Sequence, residues 1–182
     1  FVSAITGIGG GSLMVPFMIL MLGYDVKVAI ATSLLCIVVT SSSAASVYLR
    51  RGMVDLKTAL LLEPATALGA IVGAHITLAL PSEIVKSALG ALLLYVSITM
   101  LRRSLRRTFQ ERSFVKVTSL FHRVISIILS FMAGILSGMF GIGGGVLKVP
   151  VLALILGLPI KVAVATSSFM IGLTATGGGI VY

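Results

Sequence analysis

Two runs of Gly-Ile-Gly-Gly-Gly, Gly7 to Gly11 and Gly141 to Gly145, are the residues of this chain best suited to chemistry, and that chemistry is anion binding. Glycine reaches positive φ without a steric penalty, so such a run can end one helix and expose the backbone N–H groups that open the next. Those N–H groups sit at the positive end of the following helix dipole and attract negative charge. Gly9, Gly10, Gly11 and Ser12 around the first run, and Gly143, Gly144 and Gly145 in the second, are therefore candidate substrate-binding positions. One isolated run would equally serve close helix packing. Two runs, each followed five residues later by a proline (Pro16 and Pro150), favour a break that lines a cavity.

A second duplicated element is Ala-x-Ala-Thr-Ser. Thr32 and Ser33 recur as Thr166 and Ser167, and Thr40 recurs as Thr174. Their hydroxyls can donate to an oxyanion or bond carbonyls of their own helix. Lys148 stands where the first copy has Met14, just after the glycine break, and is a candidate cation for an anionic substrate; its alternative is to snorkel toward the cytoplasmic interface. Glu63 and His75 share one apolar segment and are candidates for carrying a coupling proton, although their separation along the helix keeps them from touching. Tyr24, Asp25 and Pro159 read as ordinary loop residues. Cys36 is alone, so no intrachain disulfide is available. No convergent His, Asp, Glu or Cys cluster suggests an enzyme, and no metal, nucleotide or redox cofactor is implied.

The elements that must position these residues are membrane helices. The chain is 58% hydrophobic and 10% charged, with a mean hydropathy of +1.17. That leaves too few polar side chains to cover a soluble globule. Breakers and charges place spans at Val28 to Leu49, Leu56 to Leu80, Ile84 to Leu101, Arg123 to Phe140 and Ile160 to Tyr182. The pieces after the glycine runs, Gly11 to Gly23 and Val146 to Leu156, are too short to cross about 30 Å of hydrocarbon. Alternation suited to an outer-membrane barrel is missing.

The duplication extends from Gly7–Tyr48 to Gly141–Tyr182 without a gap, with half of the aligned positions identical. The expected organisation is one membrane domain: a first repeat over 1–101, a basic linker over 102–122, and a second repeat over 123–182. The start of the first helix and the final spans of the second repeat are expected to lie outside this chain. Arg50, Arg51 and Lys57 share a face with the basic linker, which the positive-inside rule makes cytoplasmic. The formal charge of +9 is thus a topology signal and a lipid contact, with no nucleic-acid partner implied. Three crossings and one glycine hairpin separate equivalent points of the two copies, so the copies enter from opposite faces. The expected fold is an all-α polytopic membrane protein, an inverted-topology repeat with glycine-broken re-entrant or discontinuous helices.

The doubled Gly-Ile-Gly-Gly-Gly-x-Leu-x-Val-Pro motif and the following Lys-x-Ala-x-Ala-Thr-Ser stretch resemble the sulfite exporter TauE/SafE family of membrane permeases, over the whole chain apart from the linker. The resemblance implies movement of small sulfur-containing anions, such as sulfite or organosulfonates, often outward across a bacterial inner membrane. Together with the broken helices it points to a secondary transporter working by alternating access, whose partners are a small anionic substrate, the lipid bilayer and a coupling proton. An anion channel of the same fold is the alternative, followed by a membrane scaffold or an intramembrane enzyme.

Overall fold

The computed structural model describes residues 10–105 and 120–182. Among them every regular element is helical: α1 (Gly11–Leu22), α2 (Val26–Arg50), α3 (Leu56–Ala79), α4 (Ser82–Leu105), α5 (Leu120–Phe140), α6 (Gly145–Pro150), which continues into a π-helical turn over Val151–Ile155, and α7 (Ile160–Gly179). Helices α2, α3 and α7 are long and apolar enough to cross a membrane, while the apolar part of α5 is the shorter stretch Val124–Phe140. The span expected at Ile84 to Leu101 lies inside α4. The expected linker is narrower than its sequence limits, because α4 runs on through Leu105 and α5 begins at Leu120. The remaining linker residues, with Arg106, Arg107, Arg112 and Lys116, lie outside the described residues, as does the first-helix tail Phe1 to Thr6.

Helix starts follow from local chemistry. Asp25 caps α2 by accepting the Lys27 N–H at 2.9 Å, and Asp55 caps α3 by accepting the Thr58 N–H at 3.3 Å. Asp25 is therefore more than a loop residue. That same N–H holds the Asp25 carboxyl below its ordinary value.

The packing is built on glycine. A Cβ on Gly69 or Gly73 of α3 would overlap the Phe131 or Ile135 carbonyl oxygen of α5, and one on Gly134 or Gly138 of α5 would overlap the Thr66 or Ala70 oxygen of α3. Two small-xxx-small faces thus bring the backbones into direct contact, a device suited to lipid, where apolar bulk gives helices no reason to associate. Thr66 matches Gly134 and Ala70 matches Gly138, so α3 and α5 run parallel. Ser41 of α2 meets Gly172 of α7 while Leu34 meets Gly178, so these two equivalent helices run antiparallel. The outward surface is apolar, with Leu20, Leu35, Leu60, Leu94 and Leu154 among the exposed side chains. Hydroxyl residues occupy the interior, including Ser33, Thr66, Thr77, Ser130, Thr166 and Thr174.

Candidate functional site

Both glycine runs break the helix as their composition requires. Gly10 precedes α1 with φ 77°, and Gly144 precedes α6 with φ 70°. These left-handed conformations cost other residues about 1–2 kcal/mol. Being glycines, neither cap residue supplies a side chain to the opening N–H groups of its short helix.

The two breaks touch. A Cβ on Gly11 would overlap the Gly141 carbonyl oxygen, and would also crowd Ser33 and Ile37 at 2.8 Å. Ser33 Oγ donates to that same Gly141 oxygen at 2.8 Å, tying the second break to α2 of the first copy. Ile37 and Ile171, equivalent residues of the two copies, flank Gly143. The contact is interior: Gly141 to Gly145 are all buried, and Gly138, just before the turn, packs on Ala70 well before α3 ends at Ala79. Nonhelical backbone at such depth is tolerated only where protein buries it or it lines a cavity.

The duplicated hydroxyls divide. Thr32 bonds the Val28 carbonyl of its own helix at 2.8 Å, whereas Thr166 accepts the Asp55 N–H at 3.0 Å and so helps to start α3. Ser167 is fully buried, and Ser12 is half-buried in the first turn of α1. Gly9 lies outside the described residues. Gly11 meets the second break, but Thr32 is turned to its own helix.

Lys148 does not snorkel. Its side chain is 1% exposed, and its Nζ lies 3.4 Å from Glu63 Oε2, itself on a side chain 7% exposed. The ammonium also donates to Thr174 Oγ1. Thr174 in turn donates to Glu63 Oε1 at 2.7 Å, and Thr66 donates to Oε2 at 2.9 Å. Three helices, α3, α6 and α7, thus meet in one buried, hydrogen-bonded ion pair, the arrangement a charge needs when removed from water. Two residues considered apart in the sequence are partners here. Thr66 was not among the sequence candidates; its only sequence signal is its position three residues after Glu63, on the same helix face. His75 stays away from this group, exposed and with Nδ1 2.9 Å from the Ile71 carbonyl, to which it donates when Nδ1 carries the proton. Among the described residues no group of three or more His, Cys, Asp and Glu is placed to hold a metal ion.

A cavity of about 210 Å³ opens beside the second break, between α4, α5 and α6, with Tyr95, Leu136, Ser137, Ile142, Gly144 and Leu147 in its wall. It is mainly apolar. Of the sequence candidates only Gly144 lines it, and Lys148 points the other way, toward α3 and α7.

Comparison of the amino-acid sequence with known proteins finds membrane transporters. The family described as "Sulfite exporter TauE/SafE" matches over residues 1–182. The "Probable membrane transporter protein YunE" of Bacillus subtilis is 32% identical over 197 residues, covering 98% of this chain and 72% of that protein. A second Bacillus subtilis protein, "Probable membrane transporter protein YdhB", is 30% identical over 176 residues, covering 97% and 71%. "Sulfite exporter TauE/SafE family protein 6" of Arabidopsis thaliana is 39% identical over 89 residues, 46% of this chain and 21% of that protein. No solved structure matches.

Proposed function

The chain belongs to the sulfite exporter TauE/SafE family of membrane transporters, and from that premise we propose that it moves small sulfur-containing oxyanions, such as sulfite or organosulfonates, outward across the bacterial cytoplasmic membrane by alternating access. The observation that carries this reading is the buried meeting of Gly11, at the start of α1, with the Gly141 carbonyl of the second glycine break. Equivalent breaks brought together about a pseudo-two-fold axis are the binding arrangement of inverted-repeat transporters. The antiparallel pairing of α2 with its equivalent α7 supports that symmetry. In this reading the N–H groups after Gly9, Gly10, Gly11, Gly143, Gly144 and Gly145 receive the oxyanion, with the Ser12 and Ser167 hydroxyls as further donors, while Ser33 holds the Gly141 carbonyl.

Uptake of labelled sulfite, sulfate, thiosulfate and taurine into proteoliposomes tests the proposal. Saturable flux of at least one sulfur compound, accelerated by the same compound on the opposite side, is expected. Flux that neither saturates nor shows such acceleration would replace the carrier with a channel. A lack of flux for every compound would remove the transport assignment of these anions.

A further inference from the structure

The ion pair between Lys148 and Glu63 has a position that bears on how transport is energised. Lys148 is carried by α6, the short helix bounded by the glycine break on one side and the π-helical turn on the other. Glu63 and Thr174 belong to the long helices α3 and α7. A displacement of α6 against those helices greater than the lysine side chain can follow parts the ammonium from the carboxylate. Separating a buried pair leaves two uncompensated charges, each costing several kcal/mol.

Two ligands together remove that cost, and either one alone does not. An anion at Lys148 replaces the Glu63 carboxylate as its counter-charge, and a proton taken from water onto a Glu63 oxygen neutralises the carboxylate. We propose that Glu63 and Lys148 are the coupling element of the transporter: a monovalent anion and one proton are bound together at this pair and cross together, without net charge. The inference rests on the transport reading above and assigns its coupling ion and stoichiometry. Net direction then follows the sum of the anion and proton gradients.

Among the described residues the neighbourhood of the pair holds a single carboxylate. From α6 only Lys148 is ionisable, from α7 only Lys161, which is exposed near that helix's start, and Val124–Phe140 of α5 has no ionisable residue. On α3 itself Lys57 and His75 are exposed, away from the cluster. Thr66 and Thr174 are the remaining polar contacts of the Glu63 carboxylate given by the structure. The first copy has Met14 in place of Lys148, and Thr40 in place of Thr174 bonds only the Cys36 and Ile37 carbonyls of its own helix. One proton per anion is therefore expected at this pair.

The test uses purified protein in liposomes holding a pH-sensitive dye, with labelled isethionate as the probe, a monovalent sulfonate that stays ionised and cannot itself carry the proton. Wild-type uptake should acidify the interior by one proton per anion, be insensitive to an imposed membrane potential, and give about tenfold accumulation per unit of pH gradient. Glu63→Gln, which copies the protonated state, should carry anion without proton and lose the pH dependence. The double variant Glu63→Gln with Lys148→Met removes both charges at once, so it should insert, and should carry no anion-driven proton flux. Anion flux without proton flux in the wild type, or unchanged proton coupling in either variant, overturns the coupling assignment while leaving transport intact. If isethionate is not carried, sulfite, thiosulfate and taurine are run in turn under the same pH gradient; failure of all four in the wild type overturns the transport reading and this inference with it.

Discussion

The two copies of the glycine-broken unit share their turn glycines and differ in charge. Gly10 and Gly144 adopt the same left-handed conformation, and Gly23 and Gly157 likewise close the two hairpins. Yet α1 is a regular helix through Pro16 to Leu22, whereas α6 passes into a π-helical turn immediately after Pro150. Met14 is apolar where Lys148 is paired with Glu63, and Thr40 is turned to its own helix where Thr174 bridges both charges. The glycine conformations are thus common to both copies, while the polar apparatus belongs to the second alone. A symmetric frame can house an asymmetric site, because glycine conformation is set locally and side-chain partnership is not.

Making the second copy resemble the first is the strongest way to break this contrast. Lys148→Met leaves the Glu63 carboxylate buried without its cation, and should lower stability in detergent by about 3–5 kcal/mol. Adding Glu63→Gln should restore much of that loss, which a thermal-melt series of the single and double variants would read. If Lys148→Met melts like the wild type, the pair is not a structural bond and the contrast between copies loses its meaning.

Contact between the copies is probed next. Gly11→Ala drives a methyl group into the Gly141 carbonyl and should cost about 1–3 kcal/mol and most transport. Gly90→Ala in α4, where nothing lies within 4 Å, is the matched control and should be neutral or slightly stabilising. Equal behaviour of the two variants would show that the breaks do not touch.

The equivalent threonines sharpen the comparison further. Thr174→Val removes a donor and an acceptor from a buried charge network and should cost about 1–3 kcal/mol. Thr40→Val removes only a bond to its own helix, on an exposed face, and should stay within about 0.5 kcal/mol. Chemical denaturation of both variants gives the ratio directly.

The smallest effect concerns the helix that follows each hairpin. Asp25 caps α2 with its carboxylate, whereas its counterpart Pro159 makes no side-chain cap at α7. Asp25→Ala should cost about 0.5–1 kcal/mol at neutral pH. Because the folded carboxyl titrates below its ordinary value, this stabilisation is complete above the unfolded aspartate range and disappears as pH falls through the lowered folded value. The difference between Asp25→Ala and wild type should accordingly vanish in strong acid and be constant above pH of about 5.

Much of the frame was legible beforehand. The limits of α2 and α3 lie within two residues of the expected spans at Val28 to Leu49 and Leu56 to Leu80, since Arg50, Arg51 and Pro81 mark their ends in the chain itself. The ends of α4 and α5 were less legible, because the basic linker continues helical at both margins despite its polarity. The α3–α5 seam was present as Gly69-x-x-x-Gly73 and Gly134-x-x-x-Gly138, but spacing alone does not say which helix a small face will meet. Of the site candidates, the glycines were readable through their conformational freedom. The hydroxyls were not, since Thr32, Ser33 and Thr166 are equal in type and each ends on a different kind of partner.

What the amino-acid sequence determined by itself was therefore local or compositional: membrane residence, the two breaks, the left-handed glycines and the duplication that relates them. Each follows from hydropathy summed over a segment or from the φ range open to one residue. Tertiary structure alone decided that Gly11 rests on Gly141, that Ser33 serves the opposite copy, and that Lys148 meets a glutamate 85 residues away. A charge in a membrane interior must find a counter-charge, but nothing along the chain specifies which one. That choice is made only when parallel helices close through glycine faces and bring α3, α6 and α7 to a common point.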